Sequence, residues 1–116
     1  MNFNFDNYFF GKTQRNDFSD NDSCRMAAFF VQDGRCYVTG MTLRSGERQL
    51  HHRLPKSKGG KDTPENLIFL ESRVHKMVHT NNYDEYWTLE KELNLTDAQS
   101  KMVEQLRYEA GSYFYV

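Results

Sequence analysis

The sequence predicts a small α+β domain, and three observations predict it. Two extended stretches, Glu47 to Arg53 and Leu67 to Leu70, flank a loop marked by proline and glycine. A helical segment follows the second stretch at once, and two further amphipathic segments fill the C-terminal third. The 116 residues suit one small domain better than two. A chain that is 38% hydrophobic and 15% aromatic is too apolar to be mainly disordered.

Residues 1–22 mix aromatics with Asn, Asp and Gly without a clean period, and read as an arm whose Phe3, Phe5, Phe9 and Phe10 dock on the body. The domain proper is expected over 23–116. Cys24 to Gln32 reads as a short helix with Asp22 or Ser23 as its N-cap, stopping at Asp33-Gly34. Arg35 to Thr39 reads as a short β segment closed by Gly40. Pro55 ends the next extended piece, because a residue before proline avoids the α region.

Lys56 to Pro64, with Gly59-Gly60 inside it, is a loop, and Leu67-Ile-Phe-Leu70 is an apolar strand. From Ser72 or Glu71 a helix runs through His79, with Val74 and Val78 on one face and His75 and His79 on an adjacent one. Tyr83 to Leu93 forms a helix capped by Asn81 or Asn82, with Tyr86, Leu89 and Leu93 on one side. The last helix runs from Asp97 to Ala110, opened by a Thr96 to Gln99 capping box and ended by Gly111, with Met102, Val103 and Leu106 inward.

The net charge of -1 predicts no polyanion binding by itself, but its distribution does. Arg48, Arg53, Lys56, Lys58 and Lys61 form a band without a single acid, whereas Asn81 to Val116 carries seven acids against three bases. Such a band can aim one face at a polyanion, although an ordinary solvated loop explains the same charges taken alone. The opening Met1 to Phe10 has no basic leader, and no apolar run approaches the roughly 18 residues of a membrane span, so a cytoplasmic, intracellular location is expected. Cys24 and Cys36 are not a Cys-x-x-Cys pair, and free thiols are expected.

The chemistry concentrates in four histidines, His51-His52 and His75-x-x-x-His79. A helical pair at this spacing is by itself consistent with plain surface residues. Joined by His51 from the end of a strand, the two can complete a three-nitrogen site with positions open to substrate and water. Consecutive strand side chains point to opposite faces, so His52 is free to act as a base near neutral pH. Asn66, otherwise a turn or cap residue, can tie the His52 loop to the second strand through its amide. Lys56 and Lys58 are candidate phosphate contacts, and Gly59-Gly60 let the loop approach a backbone closely or simply turn.

The stretch from His51 to Leu70, with Pro55, Gly59-Gly60, Asp62, Asn66 and Leu67 followed by His75 and His79, resembles the HNH nuclease family. The resemblance implies a ββα-metal (HNH) domain, the strand-strand-helix finger shared with nuclease colicins. Its core motif would span 47–80, with additional helices on the N-terminal side and C-terminal helices over 83–111. It also implies His51, His75 and His79 as metal ligands, His52 as general base and Asn66 as the residue that fixes the catalytic loop.

A closer similarity is to the C-terminal HNH region of group II intron-encoded proteins, over about Ser23 to Gly111. It includes Gln32 to Gly40, Leu93 to Thr96, Gln99, Leu106-Arg107 and Ala110-Gly111. The reverse transcriptase that normally precedes that region is absent from this sequence. Relatives that carry a cysteine before the double histidine, or paired Cys-x-x-Cys knuckles, differ from this chain at Leu50 and at its single Cys36. The similarity therefore does not extend to a structural zinc.

The expected function is metal-dependent hydrolysis of DNA phosphodiester bonds with one divalent ion, magnesium, manganese, zinc or nickel. Arg48, Arg53, Lys56, Lys58 and Lys61 would lie along the nucleic acid. The expected partner is double-stranded DNA and not a membrane, with a protein partner or a homodimer as further options. Two alternatives remain at this level. One is a nucleic-acid-binding or regulatory module that keeps the scaffold and acts through a partner protein, and the other is a metal-stabilised structural domain.

Overall fold

The computed structural model describes residues 21–115, so the aromatic arm and its expected docking lie outside the described residues. The described elements are α1 (Asn21–Val31), β1 (Arg48–His52), β2 (Leu67–Glu71), α2 (Ser72–His79), α3 (Tyr83–Leu93) and α4 (Asp97–Ala110). The architecture is α+β, with the two strands antiparallel in a single sheet. None of the described helices is long and apolar enough to cross a membrane.

β2 is the centre of the core because all five of its residues are buried. A strand apolar on both faces must be covered on both. Phe29 of α1 lies edge-on to Phe69, their ring centroids 5.5 Å apart. The core continues through Val74, Met77 and Val78 of α2 to Val103 and Leu106 of α4. In the hairpin register His51 pairs with Ile68 and His52 with Leu67, placing the double histidine opposite the start of the buried strand.

The helix boundaries follow local capping chemistry. Glu71 opens α2 by accepting from Arg73 N at 2.7 Å, and Asn82 opens α3 by accepting from Glu85 N at 3.0 Å. The Thr96 and Gln99 side chains form the reciprocal capping box of α4, which ends at Gly111 in the left-handed region with φ 77°. Such a cap supplies hydrogen bonds to groups the helix itself leaves unpaired.

Two N-terminal expectations are corrected. α1 is described over Asn21–Val31, so Asp22 and Ser23 lie inside the helix instead of preceding it. Arg35 to Thr39 is not a strand: Arg35 makes one isolated bridge with Thr42, and the chain between them folds into a turn. Gly40 N donates to Cys36 O at 3.0 Å and Cys36 N to Met41 O at 2.8 Å, so these backbone groups are satisfied within the turn. Gly34 and Gly40 both adopt positive φ, which supports that turn better than an extended run.

Candidate metal centre

Three histidines converge from two elements. His51 comes from β1, and His75 and His79 come from successive turns of α2, which starts directly where β2 ends. One ligand-competent nitrogen from each lies within 4.8 Å of the other two. His51 Nδ1 and His79 Nε2 are 3.2 Å apart. Two nitrogens each about 2.0–2.1 Å from a common tetrahedral ion would stand about 3.3 Å apart, so this pair is already near a ligand separation.

Desolvation tunes these imidazoles toward the ligating form, although His51 is buried, His75 half-buried and His79 exposed. Desolvation, with smaller contributions from the neighbouring histidines, lowers the pKa of His51 to about 4. Burial and then His79 lower His75 to about 4. His79 is lowered by burial and then by the positive charge of Arg107. Neutral rings keep a lone pair for an ion at neutral pH.

His51 presents Nδ1 to His79, and its other ring nitrogen, Nε2, is buried without a hydrogen-bond partner. The all-imidazole donor set suits zinc or nickel by softness. The residues therefore fit one divalent ion.

His52 stands apart from this cluster. Its Nε2 lies 2.6 Å from Asp62 Oδ1, while Lys56 Nζ lies 3.4 Å from the other carboxylate oxygen. The hydrogen bond with His52, and then the ammonium of Lys56, hold the Asp62 pKa below its ordinary value. Adjacent strand positions thus send one histidine to the cluster and the next to a carboxylate.

Asn66 locks the intervening loop. Its Oδ1 accepts from Leu54 N at 2.8 Å, and its Nδ2 donates to Leu54 O at 3.1 Å and Lys61 O at 2.9 Å. Arg53 N donates to Asn66 O at 2.8 Å, adding a backbone tie at the same place. Gly60 answers the question left by the glycine pair, because a Cβ there would lie 1.7 Å from Leu54 O. The close approach is to the protein's own backbone.

The basic band is divided in its contacts. Arg53 is committed to Glu109 of α4 through two hydrogen bonds, at 3.0 and 2.8 Å, and also donates to the Tyr37 hydroxyl at 3.2 Å. The Glu109 hydrogen bond is the main reason its pKa is raised. Arg48 lies 4.1 Å from the centre of the Phe29 ring. Lys58 reaches the end of α4, where a Cβ on Gly111 would meet its Nζ at 2.5 Å. Lys56, Lys58 and Lys61 are exposed.

Sequence reasoning assigned no role to Asp62, Glu109 or Arg107. Asp62 had a usable signal, since it is the first acid after the double histidine. No local period points from Glu109 or Arg107 to their partners, which are about thirty residues away or more. Cys36 is a buried free thiol. Comparisons with protein-family models, curated proteins and solved structures find no match for this chain, and what stands is an α+β domain with a ββα-metal-type cluster of three histidines able to hold an ion.

Proposed function

We propose that the protein is an HNH-type, metal-dependent endonuclease that hydrolyses DNA phosphodiester bonds. The observation that carries this reading is the split of the adjacent pair: His51 joins His75 and His79, while His52 turns to Asp62. A metal-stabilised structural domain explains the first three histidines but leaves the fourth, beside a basic loop, without a purpose.

His51, His75 and His79 would hold one divalent ion. Such an ion would supply the positive charge that offsets negative charge developing at a scissile phosphate. His52 is the general base that accepts a proton from water as the water oxygen attacks phosphorus. Asn66 keeps the loop after His52 at a fixed distance from β2 by its three amide hydrogen bonds. Arg48, Lys56, Lys58 and Lys61 face the flanking phosphates of duplex DNA, while Arg53 supports the loop through Glu109.

The test is cleavage of plasmid DNA with magnesium, manganese, zinc or nickel, with and without chelator. His52→Ala should lower the rate by roughly 10² to 10⁴ while metal affinity and folding remain nearly intact. Wild-type cleavage by the variant removes His52 from its role.

A partner-binding module is the second reading, favoured by the exposed aromatics Tyr83, Trp87, Tyr108, Tyr113 and Tyr115 on the acidic C-terminal part. It requires no chelator-sensitive cleavage.

A further inference from the structure

Asp62 occupies a position that loop folding alone does not require. Asn66 already ties the loop at Leu54 and Lys61, and Gly60 N closes onto Pro55 O at 2.9 Å. Asp62 adds a separate contact, its carboxylate meeting the His52 ring at 2.6 Å with both side chains only partly exposed. An ionised carboxylate can only accept, so the ring nitrogen that faces it must carry the proton. His52 Nδ1 makes no hydrogen bond to any described residue, leaving it available to substrate water.

We propose that Asp62 is a positioning residue that holds His52 as the Nε2–H tautomer and leaves the Nδ1 lone pair as the proton acceptor. The inference rests on the nuclease reading for its catalytic consequence, but its structural part does not. In the reaction, Nδ1 takes a proton from water and the water oxygen forms a new bond to phosphorus. The bond from phosphorus to the leaving sugar oxygen breaks, and that oxygen is protonated from solvent. The imidazolium left behind is paired with the Asp62 carboxylate, so charge develops against a partner already in place. Lys56, 3.4 Å from the second oxygen, keeps the carboxylate turned toward the ring.

A carboxylate that only stabilised the loop would leave the His52 tautomer unchanged, so the tautomer separates the two roles. The experiment therefore joins two measurements on the full zinc-loaded chain and its Asp62→Ala and Asp62→Glu variants. Two-bond proton–nitrogen correlation spectra identify which nitrogen of His52 carries the proton. The wild type is expected to show Nε2–H alone, Asp62→Ala a mixture of tautomers, and Asp62→Glu a return toward Nε2–H.

Steady-state cleavage of duplex DNA by the same proteins should show kcat lowered about 10²- to 10⁴-fold in Asp62→Ala. KM should stay within about threefold, and Asp62→Glu should recover most of the loss. A wild-type His52 protonated on Nδ1, a tautomer indifferent to Asp62→Ala, or an unchanged kcat overturns the proposal. If the wild type cleaves no nucleic acid with any of the divalent ions, the nuclease reading falls and the spectra alone decide whether Asp62 sets the His52 tautomer.

Discussion

Arg107 Nη1 donates to the carbonyl oxygen of Thr80 at 2.7 Å, and the same nitrogen reaches Met77 O at 2.7 Å. A guanidinium from α4 thereby caps the C-terminal end of the helix that carries His75 and His79. Those carbonyls have no partners within their own helix, and a buried cation near a helix C-terminus also meets its partial negative charge. The side chain is buried over the Phe114 ring, 4.1 Å from its centroid, and burial depresses its pKa.

Arg107→Ala should therefore cost about 2–4 kcal/mol of stability, because it removes the donor and leaves buried carbonyls unpaired. Urea unfolding of the metal-free chain at pH 7 measures this. Arg107→Lys should recover part of the loss, since an ammonium supplies the charge without the planar fork. An unchanged midpoint in the Ala variant would show that the cap contributes nothing.

His75→Ala and His79→Ala should each weaken metal binding and, at saturating metal, lower the melting temperature relative to the wild type. An ion that binds only the folded chain stabilises it by linkage, so loss of a ligand forfeits that contribution. Calorimetric titration with zinc and thermal melts on the same samples check both effects. Equal melting of both variants and wild type in saturating metal would remove the helical pair from the site.

The metal-free protein should lose stability on acidification. His51 and His75 have folded pKa values of about 4, below their ordinary 6.5. Between those values the unfolded chain binds protons that the folded chain refuses. Their contribution is fully present above about pH 6.5, falls as pH drops toward about 4, and then levels off. Chemical denaturation from pH 8 to 4 in the presence of chelator reads the slope, and His51→Gln should flatten it.

Gly60→Ala should be severely destabilising, by about 3 kcal/mol or more, because the added Cβ would overlap Leu54 O and crowd Pro55 O at 2.9 Å. Gly59→Ala should cost only about 1–2 kcal/mol, since Gly59 has φ 91° but open space around it. Paired denaturant melts distinguish a steric requirement from a conformational one. Equal costs at the two positions would contradict the close approach at Gly60.

Lys56→Gln combined with Lys58→Gln should lower the salt slope of duplex binding by up to about 1.8, taking roughly 0.9 per phosphate contact. Affinity should fall alike on unrelated sequences, because phosphate contacts do not read bases. Binding titrations from low to physiological salt, in a His52→Ala background that spares the DNA, supply the measurement. An unchanged slope and affinity sink the loop's role and favour the partner-binding reading.

Much of this protein was legible in its sequence because the signals were local. The four-residue spacing of His75 and His79 puts them on neighbouring turns, the Thr96 to Gln99 pattern encodes its own capping box, and Leu67 to Leu70 admits little but a buried strand. The divergence of His51 from His52 follows equally from strand geometry. Arg35 to Thr39 misled because β-favouring side chains compete there with glycines that close a turn, and backbone bonding inside the turn won.

Tertiary structure alone decided which charges are spent on the protein itself. Arg53 meets Glu109 across fifty-six positions, and Arg107 meets Met77 across thirty. Pairing at such separations depends on how β1, α2 and α4 pack, and no local period records it. The Asp62 contact is shorter in sequence, but it too needs the Asn66 tie and the Gly60 approach to bring the loop back to His52.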